Sequence, residues 1–154
     1  MRKRLIIGMS GASGAPLTIE LLKQLQQYKE IIETHLIVTK GAEMTLEQET
    51  DYTLEQLYAL ADEVYDNYNI GAGPASGSYR TMGMIVIPCS MKTLAGIVSG
   101  YSDNLVLRAA DITLKERRKK ISLPENGLSR YGNLSNNRCL CWQEYIMIIW
   151  KRNS

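Results

Sequence analysis

The chain of 154 residues contains no phenylalanine, one histidine, three cysteines and four prolines. A single histidine excludes a metal centre built on several imidazoles and leaves His35 as the only base a Ser-His-Asp triad could use. Because His35 falls inside a strand-like segment, a packing or edge role fits it better than catalysis. Cysteines at 89, 139 and 141 are odd in number and give no disulfide framework, so a reducing, cytoplasmic setting is the expectation. Cys139 and Cys141 are too closely spaced for a CxxC redox or zinc pair, and Cys89, beside an apolar run, reads as core. Charge of one sign is also missing: 18 Lys and Arg against 16 Asp and Glu leave +2, and no basic field argues for nucleic acid. No apolar run approaches the roughly 18 residues of a membrane span. The basic residues 1–4 lead into only a short apolar stretch before Ser10, which reads as a first strand and not as a leader.

What is present is alternation. Residues 3–8 (KRLIIG), 34–39 (THLIVT) and 84–88 (MIVIP) read as buried strands. Residues 16–28 read as a helix, with Pro16 in its first turn, where a missing N–H costs nothing. Further helices are expected over 42–49, 53–61, 91–99 and 104–119; Thr53 and Gln56 have capping-box spacing, and the basic KERRKK suits a helix C-terminus. Strands alternating with helices predict one α/β domain with a mainly parallel sheet covered on both faces, a three-layer αβα arrangement. After about residue 120 the periodicity weakens; YIMIIW has strand-like residue types but nothing upstream fixes its place.

Three segments carry chemistry. The first turn has glycines at 8, 11 and 14 with Ser10 and Ser13 between them. The spacing is neither G-x-G-x-x-G nor a Walker A. It leaves either a plain strand-to-helix turn or one whose N–H groups and hydroxyls hold an anion at a helix N-terminus. PASGS (74–78) precedes the MIVIP strand and CSMKT (89–93) follows it. Ser90 and Thr93 are either helix caps or, with both Gly/Ser loops on the carboxyl edge, part of a mononucleotide site. Arg108 and Lys115, two turns apart on one helical face, offer positive charge for a phosphate, and either Glu47 or Glu49 facing that edge is a candidate acid/base group.

GASGA, ETD (49–51), PASGS and IVIPCSMKTLAGIVSGYSDNLVLRAADITLKERRK together resemble the UbiX-type flavin prenyltransferases, collinearly from about residue 3 to 119. These are homo-oligomeric flavoproteins of a group that includes the cysteine decarboxylases. The resemblance implies a Rossmann-like subunit of a trimer-based dodecamer that binds FMN at subunit interfaces and needs no metal. It implies transfer of a dimethylallyl group from dimethylallyl phosphate to N5 and C6 of reduced FMN. The prenylated FMN then serves a partner decarboxylase acting on aromatic or unsaturated acids. Carried over by position, Gly11, Ala12, Ser13, Ser90, Met91, Lys92 and Thr93 match the FMN-binding residues, and Thr39 stands where the family usually has Ser at the end of the second strand. Glu49 matches a carboxylate beside the flavin, with Ser13 its companion in catalysis. Arg108 and Lys115 match basic residues that hold the donor phosphate. Two other readings stand beside this one: a non-catalytic FMN-binding or assembly subunit, and a flavin-dependent cysteine decarboxylase, which needs a histidine base that only His35 offers.

Beyond LKERRKK the family has a hydrophobic strand, Val-Pro-Arg-Glu, and later a Tyr and a Lys that bind the donor. Here ISLPENGLS places Glu125 and Asn126 after the proline, and Tyr131 and Tyr145 stand in unrelated contexts. Both tryptophans and two of the three cysteines lie beyond residue 138. Residues 1–120 therefore read as the FMN-binding domain and 121–154 as an atypical tail, either a divergent short variant or the product of a changed or truncated reading frame. If the frame changed, re-reading the gene in a neighbouring frame after Lys119 restores Val-Pro-Arg-Glu and the missing Tyr and Lys; if neither frame does so, that explanation fails.

Overall fold

Leu5-Ile6-Ile7 and Met84-Ile85-Val86-Ile87 pack residues that favour extended backbone into runs with no polar side. Such runs are stable only when both faces are covered, as in a parallel sheet. In the computed structural model residues 1–124 are described. The elements are β1 (Lys3–Met9), α1 (Ala15–Leu25), β2 (Ile32–Val38), α2 (Lys40–Glu49), α3 (Leu54–Tyr58), β3 (Glu63–Asp66), β4 (Gly83–Cys89), α4 (Met91–Ser99), α5 (Leu105–Lys115) and β5 (Lys119–Pro124). The five strands form one sheet in the order β3-β2-β1-β4-β5, every neighbouring pair parallel. This is the expected Rossmann-like three-layer arrangement.

Alternate residues of each strand feed opposite faces. Leu5, Ile7 and Met9 pack with Leu22 of α1, Leu46 of α2 and Leu57 of α3. Ile6, Met84 and Val86 pack with Leu94 and Ile97 of α4 and Leu105, Val106 and Ala110 of α5. The chain builds β1, β2 and β3 outward in one direction, then crosses back to place β4 on the other side of β1. The strand order therefore reverses between β1 and β4, and the crevice at their carboxyl ends is where such sheets hold ligands.

Several expectations change. β3 was not foreseen as a strand: EVYD is four residues long and mostly exposed, too short and polar to show a period. β5 replaces the end of the predicted long helix. That helix stops at Lys115, because Arg117 takes φ 54° and the N–H groups of Arg117 and Arg118 bond the carbonyls of Leu114 and Thr113. A stop of this kind favours glycine at the left-handed position, so an arginine there left no signal to read. The Gly/Ser loops also part company. Arg118 donates to the carbonyls of Gly77 (2.7 Å) and Tyr79 (2.8 Å), pinning the end of PASGS near the start of β5, which pairs with the start of β4. That loop end therefore lies at the amino edge, away from the first turn. The Thr53–Gln56 capping box forms, Cys89 is fully buried, and Ser90 caps α4. YIMIIW, Glu125, Asn126, Tyr131, Tyr145 and the Cys139–Cys141 pair lie outside the described residues.

His35 is a packing residue, only 2 % exposed. Its Nδ1 lies 3.0 Å from the hydroxyls of both Tyr65 and Tyr79, and its Nε2 lies 3.1 Å from Glu33 Oε1. A neutral ring fits these partners, with Nε2–H donating to Glu33 and Nδ1 accepting from a tyrosine. The Arg4 guanidinium sits 4.4 Å from the centre of the Tyr79 ring and adds positive charge nearby. Burial lowers the His35 pKa from its ordinary value, outweighing the opposing pull of Glu33. The folded protein thus binds this proton less readily than the unfolded chain. His35 therefore contributes stability that is present above the unfolded value of about 6.5 and is lost as pH falls through the folded pKa. Urea unfolding between pH 7.5 and 5 is expected to show stability falling with pH, and His35→Gln is expected to flatten that slope.

Candidate functional site

At the carboxyl end of β1 the chain turns through Gly11, Ala12, Ser13 and Gly14 into α1. Gly14 and Ala15 present two N–H groups that no helical carbonyl can reach. Both donate to Glu49 Oε2, at 2.9 and 3.0 Å. Glu49 is the last residue of α2, so its carboxylate latches the end of one helix to the beginning of another. It also carries the charge the α1 dipole favours. The hydrogen bond from the Ser13 side chain is the largest influence lowering the Glu49 pKa, with the Gly14 and Ala15 N–H groups behind it. The anion expected at this helix end is thus supplied from within the chain. Glu47, the other candidate acid, has no comparable partner among the described residues.

The same turn leans on α2. A Cβ on Gly11 would meet the backbone of Gly41 at 2.9 Å, so the first turn and the first turn of α2 touch backbone to backbone. Thr45 Oγ1 donates to the carbonyls of Gly11 (3.1 Å) and Gly41 (3.0 Å) and fixes that approach. Thr39 caps α2 by accepting from the Ala42 N–H at 3.1 Å, which places its side chain beside the turn. Gly41 and Thr45 were not singled out from sequence; a glycine one residue into a helix was the available signal.

From β4, Ser90 begins α4. Its Oγ accepts from the Thr93 N–H at 3.2 Å and donates to Thr93 Oγ1 at 3.0 Å. Met91 and Lys92 are exposed on the first turn of α4. Ser10 ties this segment to the first turn: its Oγ donates to the Pro88 carbonyl at 2.7 Å and accepts from the Ser90 N–H at 2.7 Å. The Ser10 hydroxyl, one of the two the first turn was expected to offer an anion, is instead buried and spent on this tie. Gly11, Ala12, Ser13, Thr39, Glu49, Ser90, Met91, Lys92 and Thr93 therefore gather on one edge, around the point where strand order reverses.

Arg108 and Lys115 do not gather there together. The N-terminus of α5 is held by Asn67, whose backbone oxygen accepts from Leu105 N–H (2.8 Å) and whose Oδ1 accepts from Val106 N–H (3.0 Å). Asn67 directly follows β3, so α5 starts at the carboxyl edge and runs back toward the amino edge. Arg108, in its first turn, stays near the site level. Lys115 lies about 10 Å farther along the axis, at the end that leads into β5. Both side chains are exposed. Among the described residues no three His, Cys, Asp or Glu side chains converge as a metal site would require, and no helix is long and apolar enough to cross a membrane.

A doubly wound sheet with a hydroxyl- and amide-lined crevice at its switch point defines a mononucleotide-type α/β protein. The Flavoprotein family model matches residues 1–138, beyond the point where the sequence resemblance was expected to end, and the chain belongs to that family. It is similar to a probable UbiX-like flavin prenyltransferase of Sedimentibacter hydroxybenzoicus, 54 % identical over 121 residues, which are 79 % of this chain and 64 % of the relative. The chain thus spans a little under two thirds of that curated relative. Among solved structures it resembles AnUbiX (PadA1) in complex with FMN and dimethylallyl pyrophosphate, with TM-score 0.80 and 46 % identity over 84 % of this chain and 69 % of that one. It also resembles a dodecameric FMN-dependent UbiX-like decarboxylase from Escherichia coli O157:H7, with TM-score 0.78 and 44 % identity over 96 % of this chain and 75 % of that one.

The Glu49 latch gives a direct test. Ser13→Ala is expected to raise the Glu49 pKa toward the ordinary carboxylate range, read by NMR titration of the side-chain carboxyl. Glu49→Ala, which leaves two helix N–H groups without a protein acceptor, is expected to cost about 1 kcal/mol, as loss of a helix cap does.

Proposed function

We propose that this chain binds FMN and acts as a flavin prenyltransferase, joining the dimethylallyl group of dimethylallyl phosphate to reduced FMN. The product would serve a partner decarboxylase of aromatic or unsaturated acids. The observation that carries this reading is the meeting, at one switch point, of the Ser13–Glu49 pair and the Ser90–Thr93 turn. The donor set fits the cofactor: the hydroxyls of Ser13, Thr39, Ser90 and Thr93 suit a polar ring edge and a phosphate. Gly11, Ala12, Ser13, Thr39, Ser90, Met91, Lys92 and Thr93 would hold FMN.

Bound reduced FMN supplies the electron-rich N5 and C6 positions at which the allyl group is accepted. The chain's own residues do the rest. Arg108 stabilises the charge that grows on the departing phosphate, which is favourable where water is excluded. The Ser13 hydroxyl is the atom through which a proton reaches the Glu49 carboxylate, itself held ionised by the N–H groups of Gly14 and Ala15. Lys115, at the far end of α5, fits a donor-phosphate role only when a neighbouring copy contributes it; the dodecameric relative is an assembly of the kind this requires.

A second reading, a non-catalytic FMN-binding or assembly subunit, draws support from Glu125 and Asn126 standing where the family has Arg and Glu. The cysteine decarboxylase reading loses its base, because His35 is buried and engaged by Glu33, Tyr65 and Tyr79.

The test is to purify the chain with FMN, reduce it anaerobically, add dimethylallyl phosphate and weigh the flavin by mass spectrometry. Prenylated FMN is the expected product; bound FMN that is never converted favours the second reading. Glu49→Gln is expected to keep FMN and lower turnover about 10²–10⁴-fold, the usual contribution of a positioned acid or base. Arg108→Ala is expected to raise KM for the donor about tenfold or more, as loss of a charged hydrogen bond does.

A further inference from the structure

The last register pair between β1 and β4 is Gly8 with Val86. Carried two residues further, that register would set Ser10 opposite Pro88, but β4 shifts by one residue between Val86 and Cys89, so the bonds of Ser10 bracket Cys89, reaching Pro88 on one side and Ser90 on the other. In an ordinary parallel rung a residue donates its N–H to the facing strand and accepts, at its own carbonyl, from an N–H two residues farther along that strand. Ser10 keeps the first half, donating its N–H to the Pro88 carbonyl at 3.2 Å. The second half is changed: the Ser90 N–H goes to the Ser10 hydroxyl, at 2.7 Å, and that hydroxyl closes the ring by donating to Pro88 O at 2.7 Å. Ser10 is only 1 % exposed, so bulk water does not reach this ring of bonds.

We propose that Ser10 is a positioning residue that joins the two halves of the ligand site, its hydroxyl standing in for its own carbonyl in the last rung of the β1–β4 ladder. Released from that rung, the backbone turns away at Gly11 to form the first loop. Ser90, fixed through its N–H, starts α4 at a set distance from that loop. The spacing between Ser13 and Thr93 thus depends on a hydroxyl that faces neither ligand nor solvent. This rests on the flavin reading for its functional consequence, and on the hydrogen bonds alone for its structural one.

Thr18 supplies the control. It is fully buried and its Oγ1 donates to the Ile87 carbonyl at 2.7 Å, so it also braces the end of β4 but is not bonded to Ser90. Ser10→Ala is expected to raise the FMN Kd about tenfold, the scale of a lost buried hydrogen bond, and to alter the fine structure of the bound flavin's visible band. Thr18→Val, at a comparable loss of Tm, is expected to leave both within twofold and unchanged in shape. In flavin-free protein, Ser10→Ala is expected to speed amide exchange at Ser90 while Thr18→Val does not. Should Ser10→Ala fail to fold, Ser10→Cys, which retains a weak donor and acceptor, is expected to give intermediate values in each readout. Equal Kd shifts in the two variants, or Ser90 exchange unaffected by the loss of the Ser10 hydroxyl, overturns the proposal. If wild-type protein takes up no FMN, the flavin reading falls and with it the ligand consequence, while Ser90 exchange still decides whether Ser10 sets the α4 turn.

Discussion

The pairing of β1 with β4 is the constraint on which the rest of this molecule depends. The two strands are far apart in sequence, and they meet only because the chain, after building outward to β3, crosses back over β1. That reversal opens the crevice and sends α1 and α4 to opposite faces of the sheet from adjacent strand ends. Each helix then presents its N-terminus to the same edge. Without the β1–β4 ladder the first turn and the Ser90 turn would be separate caps with nothing in common.

Helix starts at this edge face one shared problem, the orphan N–H groups of a first turn, and the chain answers it differently each time. Glu49 reaches across from the end of α2 to serve α1. Thr39 and Ser90 cap α2 and α4 with their own hydroxyls. Asn104 caps α5, and Asn67 adds two further acceptors from the end of β3. The distinction has chemical consequences. A hydroxyl cap leaves the site neutral and adaptable, whereas the Glu49 latch places an ionised carboxylate beside Ser13. The acid/base group of the proposed reaction is in this way also the fastener of α1, so its position is set by the fold and not by the ligand.

Legibility followed the range of the forces involved. β1, β2 and β4 were readable because burial on both faces writes itself as a continuous apolar run, and the Thr53–Gln56 box because its partners are three residues apart. β3 was not readable, since four mostly exposed residues at a sheet edge carry no period. Nor was the stop of α5, where Arg117 occupies a conformation that glycine usually marks. The flavin roles expected of Gly11, Ser13, Glu49 and Ser90 came from a family resemblance; the geometry around them added Gly41, Thr45 and Asn67, which neither pattern nor resemblance named, and gave Ser10, read only as a hydroxyl of the first turn, its partners. Gly41, Thr45, Asn67 and Ser10 all act through backbone atoms of residues distant in sequence.

By itself the sequence determined that this is an α/β chain with buried parallel strands, and it marked two helix starts, at Thr53 and Ser90, by their capping residues, because those signals arise from neighbours within a few positions. Only the tertiary structure decided which starts share an edge. It put Glu49 on the α1 N-terminus, moved the end of PASGS to the opposite edge, and set Lys115 a helix length away from Arg108's end of α5. Each outcome depends on the direction in which the chain crosses the sheet, a property of the whole topology that no local stretch of residues encodes.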